Sequence, residues 1–171
     1  GEREGERRMT IYYASKYGAV SDAVERINNY LQGRAELFDL GRQGMPKHVD
    51  PQGPVLLGSS SYAGSVLKPV REFCDRRLKE LLSVRVGLFV SCLYREEEGK
   101  RQLESAYPSE LKAHAFNGWV IGGRLQIDKL TLFHRMIITK MVKQTEDLDT
   151  IDDHLLREIA ETLAWEADIP K

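Results

Sequence analysis

The 171-residue chain has little cysteine, with Cys74 and Cys92 only, and these form no CxxC pair. A disulfide framework and a thiolate zinc site are both excluded on that count, and both cysteines are expected to be buried or partly buried free thiols in a reducing compartment. Histidine is equally sparse. His48, His114, His134 and His154 are scattered with no HxxxH or HExxH spacing, so no metal centre is expected. No run of about 18 uncharged apolar residues exists, which leaves nothing to span a bilayer. The formal net charge is only −1, so no global field draws the chain to nucleic acid. The first residues, Gly1 to Arg8, carry charge and glycine in place of the apolar stretch of a secretory signal, and read as a disordered lead-in.

What remains is an ordinary globular composition, 42% hydrophobic and 30% charged. A chain of this length buries roughly 70% of its unfolded surface and needs no staple to fold. Residues 9–171 carry no internal repeat and no linker, and are expected to form one domain.

Short β-forming runs alternate with helical periodicity along the chain. Thr10–Ala14 reads as the first strand. Ser21 or Asp22 is placed to cap a helix with Ala23, Val24, Ile27, Tyr30 and Leu31 on one face, stopped at Gly33. Ala35–Leu40 follows as a strand, then a loop from Gly41 to Pro54. Val55–Leu57 reads as a short third strand that breaks at Gly58 into a loop reaching Ser65. Pro69 suits the first turn of a helix through Leu82. Val84–Cys92 is a fourth strand. A charged stretch, Arg95–Lys100, leads into a helix ending near Lys112. Trp119–Gly123 is a fifth strand, and Asp152–Ala167 a final amphipathic helix. This alternation implies an α/β three-layer sandwich around a five-stranded parallel sheet covered on both faces.

Ligands in such sheets bind beyond the carboxyl ends of the strands, at the switch in strand order. Three loops occupy that edge. In the first, Ser15-Lys16-Tyr17-Gly18-Ala19-Val20-Ser21, a strand meets a helix N-terminus, where free N–H groups favour an anion. A plain strand-to-helix turn has the same taste for Gly and Ser. In the second, Gly58–Ser65, small residues surround Tyr62, which is suited to covering a flat ring or, alternatively, to a flexible polar loop. The third, Ser91-Cys92-Leu93-Tyr94, presents backbone amides and an aromatic at the rim, or an aromatic that closes the core. An anion cradle beside two aromatic-bearing loops fits a phosphorylated planar cofactor, with FMN the obvious candidate.

The loops SKYGAVS, GSSSYAGS and SCLYREE, in that order, resemble those of the flavodoxin family. The resemblance implies a flavodoxin-like fold, with its five strands in the order 2-1-3-4-5, that binds FMN. Ser15, Lys16, Tyr17, Gly18, Ala19 and Val20 would hold the phosphate. Ser59, Ser60, Tyr62 and Gly64 would line one side of the flavin, and Cys92, Leu93 and Tyr94 the other. Tyr17 and Val20 stand where flavodoxins often carry Thr, which leaves more of the phosphate to backbone amides.

Further along, Gly122-Gly123-Arg124-Leu125 and IDKLTLFHRMIITKMVKQTEDLDT are similar to the HemG-type, menaquinone-dependent protoporphyrinogen oxidases. That resemblance implies tetrapyrrole redox chemistry through FMN, with a quinone or a redox partner enzyme exchanging the electrons. Its most specific piece is a helical insertion at about 127–150, before the last helix. Leu130, Phe133, Ile137 and Met141 fall in one arc, beside Lys129, Arg135, Lys140 and Lys143. Such a segment suits a membrane surface through 127–145, a hydrophobic substrate, a partner, or packing on its own domain. Phe133, Arg135 and Arg124 are its candidate contacts. Arg124 is placed to take a propionate-like group or to form a surface ion pair. The expected location is cytoplasmic, with peripheral contact at the inner face of a membrane. Two other readings stay open: an electron carrier serving a partner reductase, and a flavodoxin-fold module that has lost FMN.

Overall fold

The structure is a computed structural model that describes residues 8–62, 64–93, 96–129, 136 and 146–169. Its centre is β1 (Met9–Ala14), an uninterrupted buried strand whose side chains alternate between two cores. Met9, Ile11 and Tyr13 enter one cluster, while Tyr12 and Ala14 enter the other. The strands β2 (Ala35–Asp39), β3 (Val55–Tyr62), β5 (Val86–Ser91) and β6 (Asn117–Val120) complete a parallel path ordered β2-β1-β3-β5-β6. The two-residue β4 (Ser65–Val66) pairs antiparallel with the end of β3 and lies off that path. Leaving β4 aside, the order is the expected 2-1-3-4-5.

Helices cover both faces. On one side α1 (Ala19–Tyr30) packs with the carboxyl-terminal α7 (Asp153–Asp168) through Val20, Val24 and Ile27 against Leu156, Ile159 and Leu163. On the other lie α3 (Lys68–Arg76), α4 (Leu78–Leu81), α5 (Glu97–Ala106) and α6 (Ser109–His114), with Val70, Phe73, Leu81 and Leu111 buried beneath them. A single turn, α2 (Leu40–Gln43), follows β2 and is capped by Asp39, whose carboxylate accepts the Gly41 and Arg42 N–H groups. Asp152 caps α7 by accepting the His154 N–H.

Several boundaries differ from the sequence expectation for local reasons. The helix read as Pro69–Leu82 is broken at Arg77, where φ −111° and ψ 20° depart from helical values. The charged helix is likewise two pieces, because Tyr107 and Pro108 adopt extended or polyproline-like angles between α5 and α6. The fifth strand starts at Asn117 and ends at Val120, before Gly122 turns left-handed at φ 86°. Helix α1 begins at Ala19, two residues before the expected cap at Ser21, because left-handed Gly18 already turns the chain into it. The third strand is the largest correction. Gly58–Tyr62 extends β3 in place of a loop: Ser59 pairs with Ala14, Ser60 with Ser91, and Ser61 with Val66. Glycine at 58 serves the interior, since a Cβ there would lie 2.0 Å from the Phe89 ring.

The segment expected to be a helix at 127–150 has two described ends. Arg124–Leu125 (β7) and Leu148–Asp149 (β8) pair as an antiparallel ribbon, with a single 3₁₀ turn at Ile127–Lys129. Residues 130–135 and 137–145, with Phe133 and Arg135 among them, lie outside the described residues. No described helix is long and apolar enough to cross a membrane. Both cysteines are buried free thiols.

Candidate functional site at the carboxyl edge of the sheet

The parallel register places the ends of β1, β3 and β5 side by side, so the three segments identified by composition share one edge. Tyr94 in the third falls outside the described residues, as does Ala63 in the turn of the second.

The first segment is a turn whose own hydroxyl closes it: the Gly18 N–H donates to Ser15 Oγ at 3.2 Å. Gly18 has φ 92°, a conformation natural to glycine, and a Cβ built there would meet nothing within 4 Å. The space before the helix is therefore open. No side chain caps α1, so its first-turn N–H groups point out of the helix end without an intrahelical acceptor. Lys16 is exposed, and its ammonium lies 5.6 Å from the Tyr17 ring centre. Ala19 and Val20 are buried, anchoring the turn to the core. Ser21, inside the helix, hydrogen-bonds Tyr13.

The second segment is a hairpin. Tyr62 pairs with Ser65 across a turn in which Gly64 has φ 79°. Ser105 of α5 donates from Oγ to the Gly64 carbonyl at 2.8 Å, fixing the hairpin to the helix. The serines divide their tasks. Ser59 is fully buried, donates to the Ser60 carbonyl and accepts the Leu67 N–H, so its hydroxyl organises the chain. Ser60 is buried on the opposite face of the strand. Ser61 Oγ is buried with no hydrogen-bond partner, a state that costs roughly 1–3 kcal/mol unless something else supplies the bond. Tyr62 is 41% exposed, yet desolvation pushes its phenol up to about 12, with Tyr17 adding to the rise. Both causes act in the same direction, and Tyr62 is a neutral phenol at physiological pH as an ordinary tyrosine is. The influence of Tyr17 also brings the first and second segments together.

The third segment is held from behind. Ser91 Oγ donates to the Gly122 carbonyl at 2.8 Å. Thr150 Oγ1 bonds the Leu93 carbonyl at 3.2 Å and the Gly123 carbonyl at 3.3 Å, and accepts the Gly123 N–H at 3.0 Å. Gly122 and Gly123 admit no larger residue. A Cβ at Gly122 would lie 2.0 Å from the Thr150 carbonyl oxygen, and one at Gly123 would lie 2.9 Å from the Cys92 carbonyl carbon. Cys92 is buried and Leu93 half-buried at this junction.

Arg124 takes the ion-pairing role of the two open to it. Nη2 donates to Asp22 Oδ2 at 2.5 Å and Nε to Asp149 Oδ2 at 3.3 Å. The Arg124 hydrogen bond is the main reason that the Asp22 carboxyl sits below its usual value, with Arg26 adding to it against desolvation. Sequence reasoning placed Ser61 and Ser91 in the ligand-edge segments without giving either a role, and it did not single out Asp22 or Thr150 for the site. An acidic residue in the first turn of a helix, or a serine in a serine run, is too common to stand out. Only the folded chain brings Thr150 beside Leu93. Among the described residues, no group of three His, Cys, Asp or Glu is placed to hold a metal.

The chain belongs to the flavodoxin domain family, whose model matches residues 10–152. No curated protein sequence matches it. Among solved structures, the fold is similar to the rubredoxin oxygen:oxidoreductase of Desulfovibrio gigas, with TM-score 0.56, 14% identity, and coverage of 92% of this chain and 35% of that one. It is also similar to a flavodoxin, WrbA-like protein of Agrobacterium tumefaciens, with TM-score 0.54, 13% identity, and coverage of 92% and 99%. The flavodiiron core of Flv1 from Synechocystis gives TM-score 0.51 and 14% identity over 96% of this chain and 36% of that one. The chain thus spans about a third of the length of the D. gigas protein.

Proposed function

We propose that this flavodoxin-domain chain binds FMN at the carboxyl edge of its sheet and acts as an FMN-dependent oxidoreductase. The observation that carries the reading is an uncapped helix end behind left-handed Gly18, with Tyr17 in the turn after β1 and Tyr62 at the end of the adjoining β3. The residues present fit such a group. The space before Gly18 is open, and the buried Ser61 hydroxyl lacks a protein partner. Ser15, Lys16, Tyr17, Gly18, Ala19 and Val20 would hold the phosphate, largely through backbone amides. Ser60, Tyr62 and Gly64 would line one side of the ring system, with Ser59 fixing their backbone, and Cys92, Leu93 and Tyr94 would line the other. When bound, FMN supplies the electron transfer, while the protein binds, orients and tunes it.

The finer reading is tetrapyrrole oxidation or reduction with a quinone as the other redox partner. It is supported by the resemblance of residues 122–150 to the HemG-type enzymes. A second reading, an electron carrier for a partner reductase, is favoured by the 41% exposure of Tyr62, which leaves this edge open to a docking protein. Purified protein is expected to be yellow, to release FMN on denaturation and to rebind it. Colourless protein that refuses added FMN defeats both readings. Anaerobic turnover of protoporphyrinogen with a quinone analogue supports the enzyme. Its absence, together with rapid reduction of a partner enzyme by the prereduced protein, supports the carrier.

A further inference from the structure

The flavin reading assigns no task to the ribbon β7–β8, which forms the neck of the insertion. Yet the neck is fastened to two of the three ligand-bearing segments by side chains. Arg124 and Asp149 are opposite one another in the ribbon, and the Arg124 guanidinium bridges from Asp149 to Asp22 in the first turn of α1. The Arg124 side chain is 20% exposed, and its partners Asp22 and Asp149 are 37% and 51% exposed, so the bridge is buried on the arginine side and meets solvent at the carboxylates. Asp149 Oδ1 also accepts the Ile151 N–H, and Asp147 accepts the Ile127 N–H at 2.8 Å, which closes the neck on itself. On the other side Thr150 ties the same strand to Leu93. Asp22 in turn bonds Arg26 at 2.9 Å, and Arg26 faces Asp153 at the start of α7 at 3.8 Å. Charges therefore alternate from the ribbon across α1 to α7.

We propose that Arg124 is a positioning residue that couples the neck of the insertion to the helix end at the phosphate-binding turn. Order in one favours order in the other. A group bound before Gly18 therefore tightens the neck, and a substrate or partner that orders the neck tightens the grip on that group. The coupling is reciprocal by linkage. The proposal rests on the flavin reading for the identity of the ligand, but the strut itself does not depend on it.

The test uses the full chain with Arg124→Gln, Asp22→Asn, the double variant and Arg124→Lys. Without FMN, amide hydrogen exchange is followed at residues 124–129 and 146–151 and in the first turn of α1. Each single variant is expected to speed exchange at the neck by about tenfold, the size of a charge-assisted bond. At the neck the double variant should go no further than Arg124→Gln, because that change already removes the bond to Asp22 together with the one to Asp149. Additive effects, or a neck unchanged by Arg124→Gln, overturn the strut. With FMN titrated by quenching of its fluorescence, wild type is expected to slow neck exchange on saturation. Arg124→Gln is expected to lose that slowing and to bind FMN several-fold more weakly with core exchange unchanged, and Arg124→Lys to recover part of both. An FMN-saturated wild type whose neck exchanges as before overturns the coupling. If wild type takes up no FMN, the flavin reading and the ligand half of this proposal fall together, while the apo experiment still decides the strut.

Discussion

The two ends of the sheet are built on opposite terms. At the amino ends of the strands, long side chains are tied into ion pairs. Arg85 makes two hydrogen bonds to Glu166, at 2.7 and 2.9 Å, and the Glu166 side chain is only 8% exposed. Arg34 pairs with Asp168 at 2.8 Å, and both bridges reach the last turns of α7. At the carboxyl ends the chain leaves chemistry unspent: an uncapped helix, open space before Gly18, an unpartnered Ser61 hydroxyl and an exposed Tyr62. Buried polar groups are almost always satisfied, so the Ser61 hydroxyl near the end of β3 is an exception that the proposed ligand at this edge would account for. One end holds the domain together, and the other is held ready by what lies behind it.

Two glycines test this contrast most forcefully. Gly122→Ala puts a Cβ 2.0 Å from the Thr150 carbonyl oxygen at φ 86°, and Gly53→Ala puts one 1.7 Å from the Arg8 carbonyl oxygen at the far end. Each is expected to cost about 2–4 kcal/mol in denaturant melts. Only Gly122→Ala should also weaken FMN binding by the protein that remains folded; equal loss in both variants would erase the distinction between the ends.

Ser61→Ala probes the contrast in the opposite sense. Removing an unpartnered buried hydroxyl is expected to stabilise the protein without FMN by about 1 kcal/mol and to weaken FMN binding. A destabilised apo variant would show that the hydroxyl is satisfied by water or protein. Glu166→Gln is the matching change at the amino end. It should cost about 1 kcal/mol of stability and leave FMN affinity unchanged.

The smallest effect is in acid. The Asp22 carboxyl is held below its usual 3.8, first by Arg124, so the stabilisation it brings is complete above about 3.8 and is lost as pH falls through the lower folded value. Between about pH 5 and pH 8 the neck should show no titration from this pair. Exchange at residues 124–129 should quicken only below about pH 4, and Asp22→Asn should remove that dependence.

Much of this is legible in the amino-acid order. The parallel sheet follows from alternating β and helical periods, the three segments at its carboxyl edge are recognisable by composition, and the strand order comes with the family resemblance those segments carry. That reasoning fails where local taste and tertiary pairing disagree. Gly58-Ser59-Ser60-Ser61-Tyr62 has the composition of a loop, yet β1, β5 and β4 supply hydrogen-bonding neighbours that make it strand. Gly58 reads as a breaker and is instead a space left for Phe89. The partners of Arg124 are invisible in the sequence, because Asp22 lies about a hundred residues away and only the packing of the ribbon on α1 brings them within 2.5 Å.

The layers, the parallel sheet and the three segments at its carboxyl edge follow from the chain's own pattern, because hydrophobic period and loop composition are local properties. Which serine hydroxyl is spent and which is left over is settled by folding. So is the ion pair that Arg124 in the β7–β8 ribbon makes with Asp22 in the first turn of α1. Both depend on which distant backbone group or carboxylate arrives within hydrogen-bonding distance, and no local pattern records that.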